Sequence, residues 1–246
     1  MISPKRCGRD RGVVNFMMSK RLSIIILLVS ISIIYLLQPD AETATVGTRL
    51  APQHGLPWQI ELSAGNSRVF GISPGVSTVA EVIASIDFDY ELAILATYQQ
   101  SDALELFYRH FKAGLLQGQL IVVIDIDAVE LEHLKKQAAR ADMLDNGTQK
   151  YQLSERQFHR VQTSLVRSIT FVPAINLDKA VIEQHFGKVA SIMAVSEGQT
   201  HYFYPELGLD ILINDRGKDF LQYVAPKQFA ALQQSIQLQT ELIKKR

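Results

Sequence analysis

The residues best suited to chemistry in this chain of 246 are one serine, six histidines and a group of acids. Ser73 lies in Gly71-Ile72-Ser73-Pro74-Gly75, which fits the G-x-S-x-G turn that presents a nucleophile between a strand and a helix. A serine of that kind needs a histidine to take its proton and an acid to orient the histidine, and His110, His159 and His185 are the bases to pair with it. The same five residues also spell a strand end, a proline turn and a helix entry. The chain lacks the regular strand-helix alternation of the parallel sheets that carry a nucleophile turn. An exported serine hydrolase using Ser73 is therefore the alternative expectation, and no catalytic residue is assigned in the leading one.

Metal chemistry finds little support. His54, His110, His133, His159, His185 and His201 are scattered, none forms H-E-x-x-H, and Glu183-Gln184-His185 lacks a second ligand at helical spacing. Asp125, Asp127 and Glu130 cluster where a strand gives way to a helix, without the glycine and oxygen-ligand spacing of a calcium loop, so they are expected to cap that helix. Cys7 is the single cysteine, which excludes cysteine-zinc sites and intramolecular disulfides. No cofactor and no metal are expected. Asn146-Gly147-Thr148 fits a glycosylation acceptor, and more simply a turn. In Tyr202-Phe203-Tyr204, strand alternation sends the two tyrosines to one face and Phe203 to the other. Together with Tyr223 these tyrosines make the candidate partner-binding face, provided that face is open, because tyrosine combines contact area with a polar tip.

These side chains must be placed by a sizeable fold. Apolar residues make up 47% of the chain, enough for a large buried core, and lysine plus arginine balances aspartate plus glutamate at 25 each. Such a balance offers no field for nucleic acid, which is not expected as a partner. Leu22 to Leu37 runs without a charge and as a helix would cover roughly 24 Å, workable for a bilayer with snorkelling flanks. Lys5, Arg6, Arg9, Arg11, Lys20 and Arg21 precede it; Asp40 and Glu42 follow it. Basic flanks stay inside, so residues 1–21 are expected in the cytoplasm, 22–37 across a bacterial inner membrane in a single pass, and the rest in the periplasm. Cleavage of the segment as a signal peptide would place Pro39 or Glu42 at the outer position of the cleavage site, where a small residue is needed.

Residues 38–65 are rich in Pro, Gly, Thr and Gln and predict a linker, with Trp58–Leu62 as a first strand. Residues 66–150 and 151–246 predict two similar halves. In the first, Ser77 or Thr78 caps a short helix with Val79, Val82, Ile83 and Ile86 inward; strands follow at 90–97, 104–111 and 118–126, and a helix runs from Asp127 to about Met143. Leu120–Ile124 is apolar throughout and predicts a central strand covered on both faces. In the second, helices at 154–165 and 177–186 precede strands at 189–196, 201–204, 208–213 and 220–224, with 169–173 a strand between the helices. The Asn214-Asp215-Arg216-Gly217 turn joins the last pair, and a C-terminal helix carries Phe229, Leu232, Ile236 and Ile243 on one stripe. The interval from Tyr108 to Gly114-Leu115 equals that from Tyr202 to Gly208-Leu209, a small echo of one half in the other.

Gly75-Val76-Ser77 before a helix holding Glu81-Val82, and a helix ending in Phe186-Gly187 before Lys188-Val189, resemble the Gly-Met-Thr…Glu-Val…Leu-Gly-x-Pro pattern of small exported lipoproteins of the SmpA/OmlA type. Those proteins share a helix-plus-antiparallel-sheet unit with β-lactamase inhibitor protein, where it occurs in tandem. The resemblance covers roughly 70–126 and 171–224. It implies an α+β fold of two such units and a non-catalytic module that binds other envelope proteins through its sheet face. No lipobox cysteine follows the apolar run, so the anchor is the helix and not a lipid. The leading expectation is a membrane-anchored periplasmic protein serving interaction or assembly in the envelope.

Overall fold

The computed structural model describes residues 54–86, 89–97 and 100–244. A small hairpin, β1 (Glu61–Ser63) and β2 (Asn66–Arg68), precedes helix α1 (Val79–Ser85). Strands β3 (Glu91–Thr97), β4 (Gln100–Ala113) and β5 (Leu116–Ile124) form a meander, followed by α2 (Ala128–Lys136), β6 (Arg140–Met143), β7 (Gln149–Gln152) and α3 (Glu155–Val161). Then come β8 (Val166–Pro173), α4 (Lys179–Phe186), β9 (Ser191–Ser196), β10 (Gln199–Tyr204), β11 (Leu209–Asn214), β12 (Phe220–Val224) and α5 (Phe229–Lys244). Ten of these strands build one sheet in the order β6-β7-β3-β4-β5-β8-β12-β11-β10-β9, and every pairing between its strands is antiparallel. The molecule is a mixed α/β protein on a large antiparallel sheet. Leu120–Ile124 is buried and central, as its apolar run demands.

The helices form where the sequence supplies caps. Thr78 Oγ1 accepts from Glu81 N–H at 3.3 Å while the Glu81 carboxylate accepts from Thr78 N–H at 2.8 Å, a reciprocal capping box. Ser154 and Gln157 repeat the arrangement at α3, and Asp127 and Asp178 cap α2 and α4. Helices α1 to α4 lay Val79, Val82, Leu131, Leu134, Val161 and Ile182 on one face of the sheet, in a single core with Leu106, Val122, Ile169, Phe171 and Leu221. Helix α5 lies on the second face, where Phe229, Leu232 and Ile236 pack with Phe203 and Val224. Alternation along each strand thus divides its side chains between two cores. Residues 1–21 and 22–37 lie outside the described residues, as does the Ile243 side chain. Among the described residues no helix is long and apolar enough to cross a membrane.

Four expectations need correcting. Residues 54–65 are docked on the domain, although 38–65 reads as a linker: Gly114 N–H donates to His54 O at 2.7 Å, Tyr223 Oη–H to Pro57 O at 2.9 Å, and Trp58 stacks on His185 at 3.9 Å. Proline and glycine there forbid regular structure, but Leu56 and Trp58 still bury surface. The expected strand at Trp58–Leu62 shrinks to Glu61–Ser63. The helix expected to reach Met143 ends at Lys136, and Arg140–Met143 instead pairs with β7 through the Asn146-Gly147 turn. Three of those four residues are exposed, so a longer helix would bury nothing there, whereas the strand gains a ladder. Helix α3 likewise stops at Val161, because Gln162 and Ser164 turn their carbonyls to accept from Ala80 and Val79 at the start of α1.

Two glycines meet the same demand in corresponding turns. Gly114 between β4 and β5 has φ 60°, and Gly208 between β10 and β11 has φ 64°. At Gly208 a Cβ would stand 2.1 Å from Val224 O, and Val224 N–H donates to Gly208 O at 2.8 Å. Gly208→Ala is therefore expected to destabilise the domain by more than about 2 kcal/mol in denaturant titration, through both backbone strain and this contact.

Candidate functional site

The tyrosines proposed as an open face are inside. Tyr202, Tyr204 and Tyr223 are 6%, 4% and 1% exposed and belong to the core beneath the helices. Tyr204 packs against Phe186 of α4 at 5.9 Å and donates to Gly187 O at 3.4 Å, while Tyr223 donates to Pro57 O. Burial pushes both phenols above their ordinary range. The alternation was read correctly, but the face it selects is the one that receives α4 and the docked 54–60 segment. The Tyr204 and Tyr223 hydroxyls are satisfied there, which is how tyrosine tolerates a core position.

Ser73 is half-buried in a turn that its surroundings explain. Val69 and Ile72 exchange two backbone hydrogen bonds of 3.0 and 2.8 Å around Phe70 and Gly71, both at positive φ, and Ser73 N–H donates to Ser77 Oγ at 3.0 Å. The strand before it, β2, belongs to the isolated hairpin and not to a parallel sheet. Among the described residues no hydrogen bond joins Ser73 to a histidine; His159 is exposed on α3, and His185 is stacked on Trp58. Asp127 caps α2 through Val129 and Glu130 N–H, both at 2.9 Å, while Asp125 pairs with Arg167 and Glu130 with Arg160. No group of three or more acids, histidines and cysteines with metal-holding geometry occurs among the described residues.

What the sequence did not reveal is a polar row inside the second face of the sheet. Leu95, Phe107, Ile121, Val123, Val172, Leu212 and Phe220 make a buried apolar cluster there. Set into it are Glu105, Ser168, Thr170, Gln222, Asp210 and His201, each 4% exposed or less. Glu105 lies opposite Val123, and Val123 opposite Ser168; Thr170 lies opposite Gln222, and Gln222 opposite Asp210. His201 Nδ1 donates to both Asp210 oxygens at 2.9 Å. Among the described residues, Glu105 Oε1, the Ser168 and Thr170 hydroxyls and both polar atoms of the Gln222 amide have no hydrogen-bond partner. Buried polar atoms left unpaired are costly, so this row is where the sheet sacrifices stability. Burial pushes the Glu105 carboxyl up to about 8, so it carries its proton at neutral pH. Glu105 stands between Leu104 and Leu106, whose side chains alternation sends to the opposite face. Only hairpin register, pairing His201 with Leu212 and Phe203 with Asp210, could have brought the histidine and aspartate together from sequence.

The two ends of the sheet differ in protection. Edge strand β6 carries Arg140 and Asp142, joined at 2.7 Å. Edge strand β9 is Ser191-Ile192-Met193-Ala194-Val195-Ser196, with neither charge nor proline, and Ile192 is 55% exposed. Its backbone pairs with β10 on one side and ends the sheet on the other. An unguarded edge of this kind is a template for strand addition. No family model, curated protein or solved structure matches the chain.

Glu105 supplies a pH prediction. Its folded pKa stands above the unfolded one, so between about 4.5 and 8 the folded state holds more protons and stability falls as pH rises. Wild-type protein is expected to lose stability across that window with a slope of up to about 1.4 kcal/mol per pH unit for this one proton. Urea titrations of Glu105→Gln should lack that component and show the variant gaining on wild type as pH rises to 8.

Proposed function

We propose that this chain is a membrane-anchored, exported bacterial protein whose folded domain serves interaction or assembly in the periplasm, without catalysis of its own. Residues 22–37 act as the single inner-membrane span, and the domain recruits an envelope protein by strand addition at β9. The observation that carries this reading is the open, uncharged edge of β9 beside exposed Ile192, at the opposite end of the sheet from the charged edge strand β6. Main-chain hydrogen bonds along such an edge supply affinity, and the alternating side chains supply selectivity.

The same reading holds the domain to be two helix-plus-meander units in tandem. Helix α1 leads into β3-β4-β5, and α4 leads into β9-β10-β11, each meander antiparallel. Tyr108 and Tyr202 sit on the second strand of their meanders with both side chains in the helix-side core, and each precedes a turn glycine of positive φ, Gly114 or Gly208. This correspondence supports a duplicated unit of the kind found in β-lactamase inhibitor protein.

Photocrosslinking from position 192 in intact cells tests the assignment. A discrete adduct with an envelope protein is expected, and Ile192→Lys should abolish it while changing stability by no more than about 0.5 kcal/mol, the usual range for an exposed position. An equivalent probe at Met143 on β6 should give none. Equal adducts from both edges, or full recruitment by Ile192→Lys protein, would remove β9 as the contact.

A further inference from the structure

The chain enters the domain at one end of the sheet, and that end has the composition of a membrane-contact surface. His54 forms a bridge with Ala113, accepts from Gly114 N–H and stacks on Phe111 at 4.9 Å, so entry is clamped to the β4–β5 hairpin. Leu115 at the tip of that hairpin is 94% exposed. Ala174 N–H donates to Gln117 O at 2.8 Å, which brings the loop after β8 alongside, and Ile175 in that loop is 63% exposed. Between them opens a cavity of about 270 Å³ lined by Arg109, Lys112, Gln119, Val172, Ala174 and Lys218, among others. The Lys218 ammonium is held at its mouth by a 2.7 Å bond to Ala174 O, and Arg109 lies 5.5 Å over the Phe107 ring. No carboxylate lines the cavity. The acids at this end include Asp219, buried beside Lys218 and bonded to the N–H groups of Leu177 and Asn214, Asp178 at the start of α4, and Glu197, paired with Arg216 at 2.8 Å.

We propose that this end of the domain docks on an anionic phospholipid surface, with Leu115 and Ile175 entering the interface and Lys112 and Lys218 meeting lipid phosphates. The proposal rests on the anchor assigned to residues 22–37. Sixteen residues, 38–53, separate that segment from His54. A random coil of sixteen residues has a root-mean-square span of about 22 Å. Strand β4, with 14 residues, is roughly 46 Å long, so its hairpin end is held nearer the bilayer than its far end. A neutral protein with 25 cations and 25 anions gains no general attraction to an anionic membrane, so the local cluster sets the orientation. Exposed apolar tips beside basic side chains are the combination that seats in a headgroup layer. The consequence for function is geometric: with the β4–β5 hairpin down, the β9 edge is held at a defined angle to the bilayer.

The test uses the full chain with Cys7→Ser and a single polarity-sensitive fluorophore at Leu115→Cys, in vesicles of phosphatidylcholine with or without one quarter phosphatidylglycerol. Blue-shifted emission quenched by shallow nitroxide lipids is expected only with phosphatidylglycerol. Met143→Cys, on the opposite end, should remain aqueous in both. Lys112→Gln and Lys218→Gln should each weaken docking about fivefold, as expected for loss of one basic residue at an anionic surface. Carbonate washing reads the anchor separately. A chain that washes off while Leu115 is still quenched overturns the anchor and keeps the docking, whereas a retained chain with aqueous Leu115 overturns the docking alone. Release of the probe by millimolar inorganic phosphate would show that the cavity takes a small free anion and would also overturn the docking.

Discussion

Everything in this fold depends on the pairing of β5 with β8. Gly118 to Ile124 runs antiparallel to Val166 to Pro173, and this ladder joins the β3-β4-β5 meander to the strands that follow α4. The strands approach so closely at Gly118 that a Cβ there would stand 2.2 Å from Val172 O and 2.7 Å from the Phe171 ring. Leu120, Val122, Ile169 and Phe171 from these two strands reach the helix-side core, and Ile121, Val123 and Val172 reach the second one. One ladder therefore anchors both cores, and helices on either side are positioned relative to it.

A sheet of ten antiparallel strands has two faces and two edges, and each is treated differently here. The helix-side face is apolar, with the Tyr223 and Tyr204 hydroxyls bonded and the buried Tyr108 hydroxyl unpaired among the described residues. The second face mixes apolar residues with a row of buried polar ones, of which the His201–Asp210 pair is satisfied and Glu105 and Gln222 are not. Asp219, 1% exposed, is held by N–H groups of Asn214 and Leu177 and ties the β11–β12 turn to the entry of α4; burial outweighs those bonds and raises its carboxyl. The protein thus accepts desolvation at several acids where register leaves no other position for them. Edges follow the same division, charged at β6 and bare at β9.

Much of the local structure was legible. The Thr78–Glu81 box, the Asp127 cap, the Asn214–Gly217 turn and the central apolar strand all formed as their residues dictate, because caps, turns and alternation act over a few neighbouring residues. The end of α2 was not legible. Ala138 to Met143 is compatible with helix by composition, and only the presence of β7, with Gln152 O accepting from Ala139 N–H at 2.9 Å, makes it a strand. The docking of residues 54–60 was hidden for a similar reason: its partners, Gly114, His185 and Tyr223, lie 60 to 166 residues away.

The candidate site shows the same boundary. Sequence alone determined the uncharged Leu22–Leu37 segment with its basic flank, the even charge balance, the lack of thiols after Cys7, and the two-faced division of Tyr202, Phe203 and Tyr204, all of which follow from residue type and period. Tertiary structure decided which face is closed, putting the tyrosines beneath α4, burying Glu105, joining His201 to Asp210 across a hairpin, and leaving Ile192 and Leu115 outside. Alternation states that neighbouring side chains part company, but solvent exposure depends on which elements arrive on each side, and that is settled by long-range packing.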